Sequence, residues 1–262
     1  MLDVIDKGRE TPDHPHPLLF VHGAFQGAWC WDMNFLDFFA ERGFRAVAVS
    51  FRGHSSSTLD KPLRLCSIAD YADDVASTVE TLRRPILIGH SMGGFVVQKY
   101  LEDHDAPAAV LLASVPPHGH LPSLLRLIRR HPWRCAKFTL TGSPRDLTRG
   151  TTAGSREYFF GHKAPDTLVA TVTDRLQRES TRAILVDMVA ASLIKPARID
   201  TPMLVLGAEL DALYTNAEVR QTARTYATEA VIVSQMGHEM MLEPGWDVVG
   251  EHILSWFLSR GL

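Results

Sequence analysis

The sequence predicts an α/β fold in which a mostly parallel sheet is covered by helices on both faces and carries a helical cap insertion. Short apolar runs alternate with amphipathic segments along much of the chain, which is typical of strands joined by crossover helices. Residues 116–196 break this alternation, because they are helical in pattern, contain no strand-like run and are bounded by prolines. A chain of 262 residues is long enough for one such domain with an insertion.

The elements follow one another in the order expected of this fold class. Each predicted strand is a short apolar run, and each predicted helix has apolar residues at helical spacing. The predicted strands are 18–22, 45–49, 86–88, 110–113, 203–206 and 230–233, and the predicted helices outside the insertion are 32–42, 68–82, 95–103 and 246–258. We therefore assign residues 1–115 and 197–262 to the α/β core and residues 116–196 to a helical cap over the active site.

The composition disfavours several classes of protein. The chain is 45% hydrophobic and 22% charged with a net charge of −3, so it lacks the basic excess of a nucleic-acid-binding protein. Cys30, Cys66 and Cys135 lack the spacing of a metal site, and three cysteines cannot all pair. This usage favours free thiols in a reducing compartment.

Features of secreted and membrane-spanning proteins are also missing from the sequence. Residues 1–6 lack the basic start and apolar run of a signal peptide, and no apolar stretch approaches transmembrane length. We expect a cytoplasmic protein, a monomer or homodimer, without stable membrane insertion. The basic and apolar residues at 121–137 fit a helix of the insertion with a solvated face, the alternative being a surface for a membrane or an anionic substrate.

Residues 89–94 read Gly-His-Ser-Met-Gly-Gly and connect a predicted strand to a predicted helix. A serine at the centre of the pattern G-x-S-x-G in this setting is typical of a nucleophile on a sharp strand-to-helix turn. Glycines are needed there because larger side chains would collide with the neighbouring strand and helix. The helix N-terminus also directs backbone N–H groups toward a developing negative charge. We therefore predict that Ser91 is a nucleophile.

A serine nucleophile requires a general base and a carboxylate that orients the base. Of the twelve histidines, His238 is the best candidate, because a short loop ending in glycine connects it to the predicted strand 230–233. Asp211 is the predicted carboxylate, since it follows the strand 203–206 and can reach a histidine that follows the next strand. Glu209, two residues earlier, is the alternative carboxylate.

The oxyanion hole of such a site needs two backbone donors. The N–H of Met92, directly after the nucleophile, is the first candidate, and the N–H of Ala24, in the loop after strand 18–22, is the second.

The substrate pocket is predicted from the aromatic residues of the insertion. Trp133, Phe159 and Phe160 are candidates for its wall, and residues near the elbow and the first loop, Phe25 and Met240, are further candidates. Other apolar residues of the insertion are candidates as well: Phe138, Leu185, Met188 and Leu193.

Together these motifs resemble those of the α/β-hydrolase fold, over the whole length of the chain. Residues 21–31, Val-His-Gly-Ala-Phe-Gln-Gly-Ala-Trp-Cys-Trp, are similar to the opening motif of the plant methylesterase and hydroxynitrile lyase branch and of its bacterial esterase relatives. The resemblance implies that the serine, aspartate and histidine named above form a catalytic triad, that Ala24 and Met92 form the oxyanion hole, and that no metal or organic cofactor is used.

Departures from related patterns narrow the expected chemistry. The lyases carry a lysine after the catalytic histidine and a hydroxylated residue at the position of Ala24, whereas here Glu239 follows His238, which disfavours lyase chemistry. Epoxide hydrolases and haloalkane dehalogenases carry aspartate at the elbow, so Ser91 excludes both. We expect hydrolysis of a small or medium apolar ester, a small-molecule substrate, through an acyl-enzyme on Ser91.

Two alternatives on the same fold stay open at this point. The first is a carbon–carbon bond hydrolase or lyase, and the second is a cofactor-free oxygenase in which the histidine and aspartate move the proton. A non-catalytic ligand receptor is disfavoured, because a receptor has no need of all three triad residues.

Overall fold

The computed structural model describes residues 1–190 and 193–262, which form a seven-stranded sheet covered by helices on both faces. The strands are β1 (Asp3–Lys7), β2 (Leu18–Val21), β3 (Ala46–Ser50), β4 (Ile86–His90), β5 (Ala109–Leu112), β6 (Met203–Ala208) and β7 (Ala230–Val233). Their order across the sheet is β1-β3-β2-β4-β5-β6-β7, and only β1 pairs antiparallel with its neighbour among these strands.

The central strands are apolar along their whole length, as expected of parallel strands covered on both faces. β2 and β4 are fully buried, and their register pairs Val21 with Gly89. β1 alternates partly buried and exposed residues at the edge of the sheet, with charged residues among them, so it lacks the apolar run on which the strand prediction relied.

The described residues contain eleven α-helices. They are α1 (Trp29–Asp32), α2 (Phe35–Ala40), α3 (Ile68–Val79), α4 (Met92–Tyr100), α5 (Leu121–Arg130), α6 (Pro132–Thr141), α7 (Pro144–Thr148), α8 (Thr152–Phe159), α9 (Asp166–Arg175), α10 (Asn216–Thr225) and α11 (Trp246–Leu258). α2 contacts α11, and α3 contacts α4. α10, which is not among the predicted helices, begins with a capping box formed by Thr215 and Glu218.

The insertion, residues 116–196, lies between β5 and β6 and contains α5 to α9 and a short π-helical turn at Ala183–Asp187. No strand occurs among its described residues. None of the helices in the described parts of the chain has the length and apolar character needed to cross a membrane.

The strand register brings four loops to one edge of the sheet. His90 pairs with Leu112 and Leu112 with Leu206, so β4, β5 and β6 end at the same level. Ligands of parallel sheets bind beyond the carboxyl ends of the strands, where these loops meet. The segments that follow β2, β4, β6 and β7 carry the residues predicted for the triad and the oxyanion hole.

Candidate active site

Ser91 lies on the turn between β4 and α4 in a backbone conformation that most residues avoid. Its φ is 52° and its ψ is −118°, and its side chain is buried. The flanking glycines allow the turn, because a Cβ at Gly89 would lie 2.6 Å from Gly94 Cα and a Cβ at Gly93 would overlap the carbonyl oxygen of Val21. The surrounding backbone therefore holds a strained residue in place, as is common at functional sites.

The loop after β2 packs directly on this turn. A Cβ at Gly23 would lie 2.8 Å from His90 Nδ1 and 3.1 Å from Ser91 Cβ, so only glycine permits this approach. Ala24 and Met92 line the same cavity as Ser91. Met92 is the first residue of α4, so its N–H has no acceptor within the helix and is available to a ligand.

His238 and Asp211 form a buried pair beside this cavity. His238 Nδ1 donates to Asp211 Oδ2 at 2.8 Å, and Asp211 Oδ1 accepts the N–H groups of Leu213 (2.7 Å) and Tyr214 (3.1 Å). Burial alone lowers the pKa of His238, but the charge and hydrogen bond of Asp211 outweigh it, and the pKa is raised above its ordinary value. With Nδ1 bonded to Asp211, Nε2 is the ring nitrogen left to accept a proton.

The alternative carboxylate, Glu209, lies elsewhere. Its side chain is exposed and accepts the N–H of Gln235 at 2.8 Å. Because Asp211 is the carboxylate bonded to His238, the geometry selects Asp211 over Glu209 as its partner.

Two residues that the sequence reasoning missed contact this group. His90 is buried with its pKa well below the ordinary value, owing to burial and the nearby His238, and the neutral ring donates from Nε2 to the His238 carbonyl at 3.0 Å. The Tyr214 side chain is buried next to Ser91, and burial raises its pKa strongly. The sequence contains one signal for each of them: His90 directly precedes Ser91, and Tyr214 lies three residues after Asp211.

Ser91 and His238 open into one cavity of about 110 Å³ between the core and the insertion. Its wall is mostly apolar, and one acidic residue, Glu239, is part of it. The insertion residues that line it are His120, Ser123, Leu124, Leu127, Ile128, Cys135, Phe138, Thr139, Leu147, Tyr158, Phe159, Ile184, Leu185 and Met188.

The residues predicted for the pocket separate into two groups. The cavity is lined by Phe25, Phe138, Phe159, Leu185 and Met188, whereas its wall does not include Trp133, Phe160, Leu193 or Met240. Trp133 is 82% exposed on α6 and borders a groove lined by basic side chains on the outside of the insertion. Phe160 and Met240 are buried away from the cavity, Met240 completely. An aromatic or apolar residue identifies a pocket wall only when the direction of its side chain is known.

The cysteines and the metal-ligating residue types give no sign of a metal centre. Cys30, Cys66 and Cys135 are buried and unbonded to one another. Across residues 1–190 and 193–262, no cluster of three or more His, Cys, Asp or Glu side chains is arranged to hold a metal ion.

Known proteins share both this fold and parts of this sequence. A family model described as "Alpha/beta hydrolase family" matches residues 18–249. A non-heme chloroperoxidase of Streptomyces lividans is 40% identical over 106 residues, 38% of this chain and 37% of the relative. The pFDCC methylesterase MES16 of Arabidopsis thaliana is 33% identical over 111 residues, 40% of this chain and 42% of the relative. The matches thus span about two fifths of the curated relatives' length.

Among solved structures, the esterase EaEST of Exiguobacterium antarcticum superposes with a TM-score of 0.77 at 19% sequence identity. The alignment covers 97% of this chain and 94% of that one, which supports a common fold over the whole chain.

Proposed function

The chain belongs to the alpha/beta hydrolase family, and on this premise we propose that it is a serine hydrolase that cleaves carboxylic esters. One observation carries the proposal: the strained Ser91 and the hydrogen-bonded pair of His238 and Asp211 adjoin the same mostly apolar cavity. The relatives named as a methylesterase and an esterase support an ester substrate.

The proposed reaction has two halves that use the same groups. Ser91 Oγ attacks the ester carbonyl carbon while His238 Nε2 takes the hydroxyl proton, and the N–H groups of Ala24 and Met92 stabilise the oxyanion. The intermediate collapses to an acyl-enzyme, and the leaving alcohol takes the proton from His238. Water then attacks the acyl carbon, gives a proton to His238, and Ser91 leaves with that proton as the acid is released.

In this proposal, the buried Asp211 keeps the proton of His238 on Nδ1 and stabilises the imidazolium as it forms. The insertion acts as the cap of the active site, since it supplies most of the apolar wall against which the acyl or alcohol group packs. Apolar contacts of this kind discriminate between substrates by size and shape.

The test combines a covalent probe with a substrate panel. A serine-directed fluorophosphonate should label Ser91, as located by peptide mass spectrometry, and Ser91→Ala should abolish both labelling and turnover of aryl or methyl esters. Ser114→Ala is the matched control, because Ser114 is a buried serine at the same sheet edge whose hydroxyl donates to the Val115 carbonyl. That variant should keep both properties.

The panel also contains thioesters, lactones and carbon–carbon bond substrates. Labelling at Ser91 without turnover of any ester would contradict the ester proposal and favour carbon–carbon bond cleavage. Labelling of another serine, with full activity in Ser91→Ala, would refute the assignment of the nucleophile.

A further inference from the structure

One acidic side chain forms part of the wall around the proposed reacting groups. Glu239 directly follows His238, is 3% exposed and lines the cavity that contains Ser91. A carboxyl group is costly to bury in a largely apolar wall unless hydrogen bonds compensate for the lost water. The proposed mechanism does not use Glu239, so we infer its role from its hydrogen-bond partners.

The protein supplies only some of the hydrogen bonds that the Glu239 carboxylate can accept. Gln26 Nε2 donates to Glu239 Oε2 at 2.7 Å, and this is the only side-chain donor to the carboxylate among the described residues. Glu179, a similarly buried carboxylate, accepts three hydrogen bonds, from the Tyr71 hydroxyl and the N–H groups of Phe25 and Ser180. Glu239 therefore has acceptor capacity that remains available.

Gln26 adds a second unused acceptor next to the first. Its side chain is 1% exposed, and its Oε1 has no hydrogen-bond partner within residues 1–190 and 193–262. Buried polar atoms are nearly always paired in folded proteins. Gln26 is not part of the cavity wall, so of the two residues only Glu239 can contact a substrate in the cavity.

The charge of the surroundings selects the kind of donor. Burial raises the pKa of Glu239 to about 7, so its charged form is well populated at neutral pH and accepts hydrogen bonds strongly. An ammonium group could also donate, but burying its charge in this mostly apolar cavity costs more in desolvation than burying a neutral hydroxyl. The proposed donor is therefore a hydroxyl.

We propose that Glu239 determines the specificity of this cavity by accepting a hydrogen bond from a hydroxyl group of the substrate. The substrate class is then an ester whose acyl or alcohol part carries a hydroxyl, with the rest of that part apolar to match the wall. This proposal rests on the proposed ester hydrolase activity and specifies its substrate.

The experiment compares esters that differ by one hydroxyl group. The pairs are p-nitrophenyl butanoate with its 2-hydroxy and 3-hydroxy derivatives, and ethyl butanoate with 2-hydroxyethyl butanoate. A site built to bind a hydroxyl strongly rejects the analogue that lacks it, because the buried acceptor is then left unpaired. For at least one pair, the wild-type protein should prefer the hydroxylated ester by about tenfold or more in kcat/KM.

Two variants of Glu239 test whether this residue causes the preference. Glu239→Leu should reduce this preference, measured as the ratio of kcat/KM values within each pair of esters, to less than about twofold. Glu239→Gln keeps the shape but replaces one acceptor by a donor, so the preference should be reduced to an intermediate value. The Gln variant also serves if the Leu variant does not fold.

Glu243→Gln is the matched control for burial. Glu243 is also a buried carboxylate near His238, but it accepts the N–H groups of Gly237 and Gly161 and is not part of the cavity wall. This variant should keep the wild-type ratio between the paired esters, whatever happens to its absolute rate.

Labelling by fluorophosphonate separates this proposal from the proposed function. If Ser91 is labelled and esters are cleaved but no pair shows a preference, or Glu239→Leu keeps the preference, the specificity proposal is wrong and the hydrolase proposal stands. Absence of both labelling and ester turnover would instead overturn the proposed function.

Discussion

The core and the insertion contribute to the cavity in different ways. The core supplies its groups from loops after strands, so the sheet register decides where Ser91, Asp211 and His238 lie. The insertion supplies an apolar wall from several short helices, and there the direction of each side chain decides whether it reaches the cavity. Backbone position thus places the proposed catalytic residues, whereas side-chain orientation places the residues proposed to select the substrate.

Two hydrogen bonds of Phe25 connect the core with the insertion. Phe25, which follows Ala24 in the core, has a left-handed φ of 70°, and its N–H donates to Glu179 Oε2 at 3.3 Å. Its carbonyl accepts the N–H of Gln177 at 2.8 Å. Both partners belong to the insertion, so the insertion also holds the loop that carries one proposed oxyanion donor.

The largest expected effect tests the core. Asp211→Asn should lower kcat by about 10⁴-fold, because the uncharged amide favours the wrong tautomer of His238 and cannot stabilise its imidazolium. Steady-state kinetics on an aryl ester measures the loss. Glu209→Gln, which neutralises the exposed carboxylate two residues earlier, should change kcat less than about threefold. A larger effect at Glu209 than at Asp211 would reverse the assignment.

The next effect tests the contact between the two regions. Glu179→Gln should destabilise the protein by about 3–5 kcal/mol, because it breaks a buried charge network that includes His54 and Tyr71. It should also lower kcat, since glutamine keeps only one of the two acceptor oxygens and the contacts that hold Phe25 are weakened. Denaturant unfolding and ester kinetics measure the two losses.

The matched control for Glu179 lies on the outer side of the insertion. Glu157 pairs with Arg130 and Arg134 in a partly exposed cluster, so Glu157→Gln should cost no more than about 1 kcal/mol. Equal losses of stability and of kcat in the two variants would mean that the insertion does not hold the Ala24 loop.

The sequence predicted the core well because the core follows local rules. Six of its strands are mostly apolar runs, five of them buried along their whole length, and the elbow at residues 89–94 needs its glycines for steric reasons. β1 was missed because an edge strand alternates polar and apolar residues. The partner of His238 was open between two carboxylates, since a difference of two residues in one loop does not settle which side chain turns inward.

The insertion shows where such prediction ends. Its helical character follows from composition, but its pocket residues depend on how five short helices pack. Trp133 has the residue type of a pocket wall, yet it lies on the exposed side of α6, while Phe138 on the same helix faces the cavity. The role proposed for Glu239 could not be predicted from the sequence either, because its hydrogen-bond partner Gln26 is remote from it in the chain.

A smaller effect, on the free energy of unfolding, is expected from the buried carboxyl group of Glu239. A carboxyl group whose pKa is raised from 4.5 to about 7 on folding is charged more easily in the unfolded state, so stability falls as pH rises from 4.5 to 7. Glu239→Gln removes this loss and should be more stable than the wild-type protein at pH 8 by up to about 3 kcal/mol. At pH 5 the advantage should nearly vanish. A constant difference at both pH values would contradict the burial of charge at Glu239.

The smallest expected effect sharpens the comparison within the insertion itself. Phe159 lies in the cavity wall, with its ring 6.3 Å from that of Phe25, so Phe159→Leu should open space near the acyl or alcohol group. Such a change is worth about 1–3 kcal/mol of discrimination, which should shift the preference toward longer acyl chains in a series of p-nitrophenyl esters.

Trp133→Ala removes a larger side chain of the same insertion, but from its exposed surface. It should leave the chain-length profile unchanged, because no wall of the cavity is altered. If Trp133→Ala shifts the profile and Phe159→Leu does not, substrates approach along the outer face of the insertion, and the cavity beside Ser91 is not the pocket that selects them.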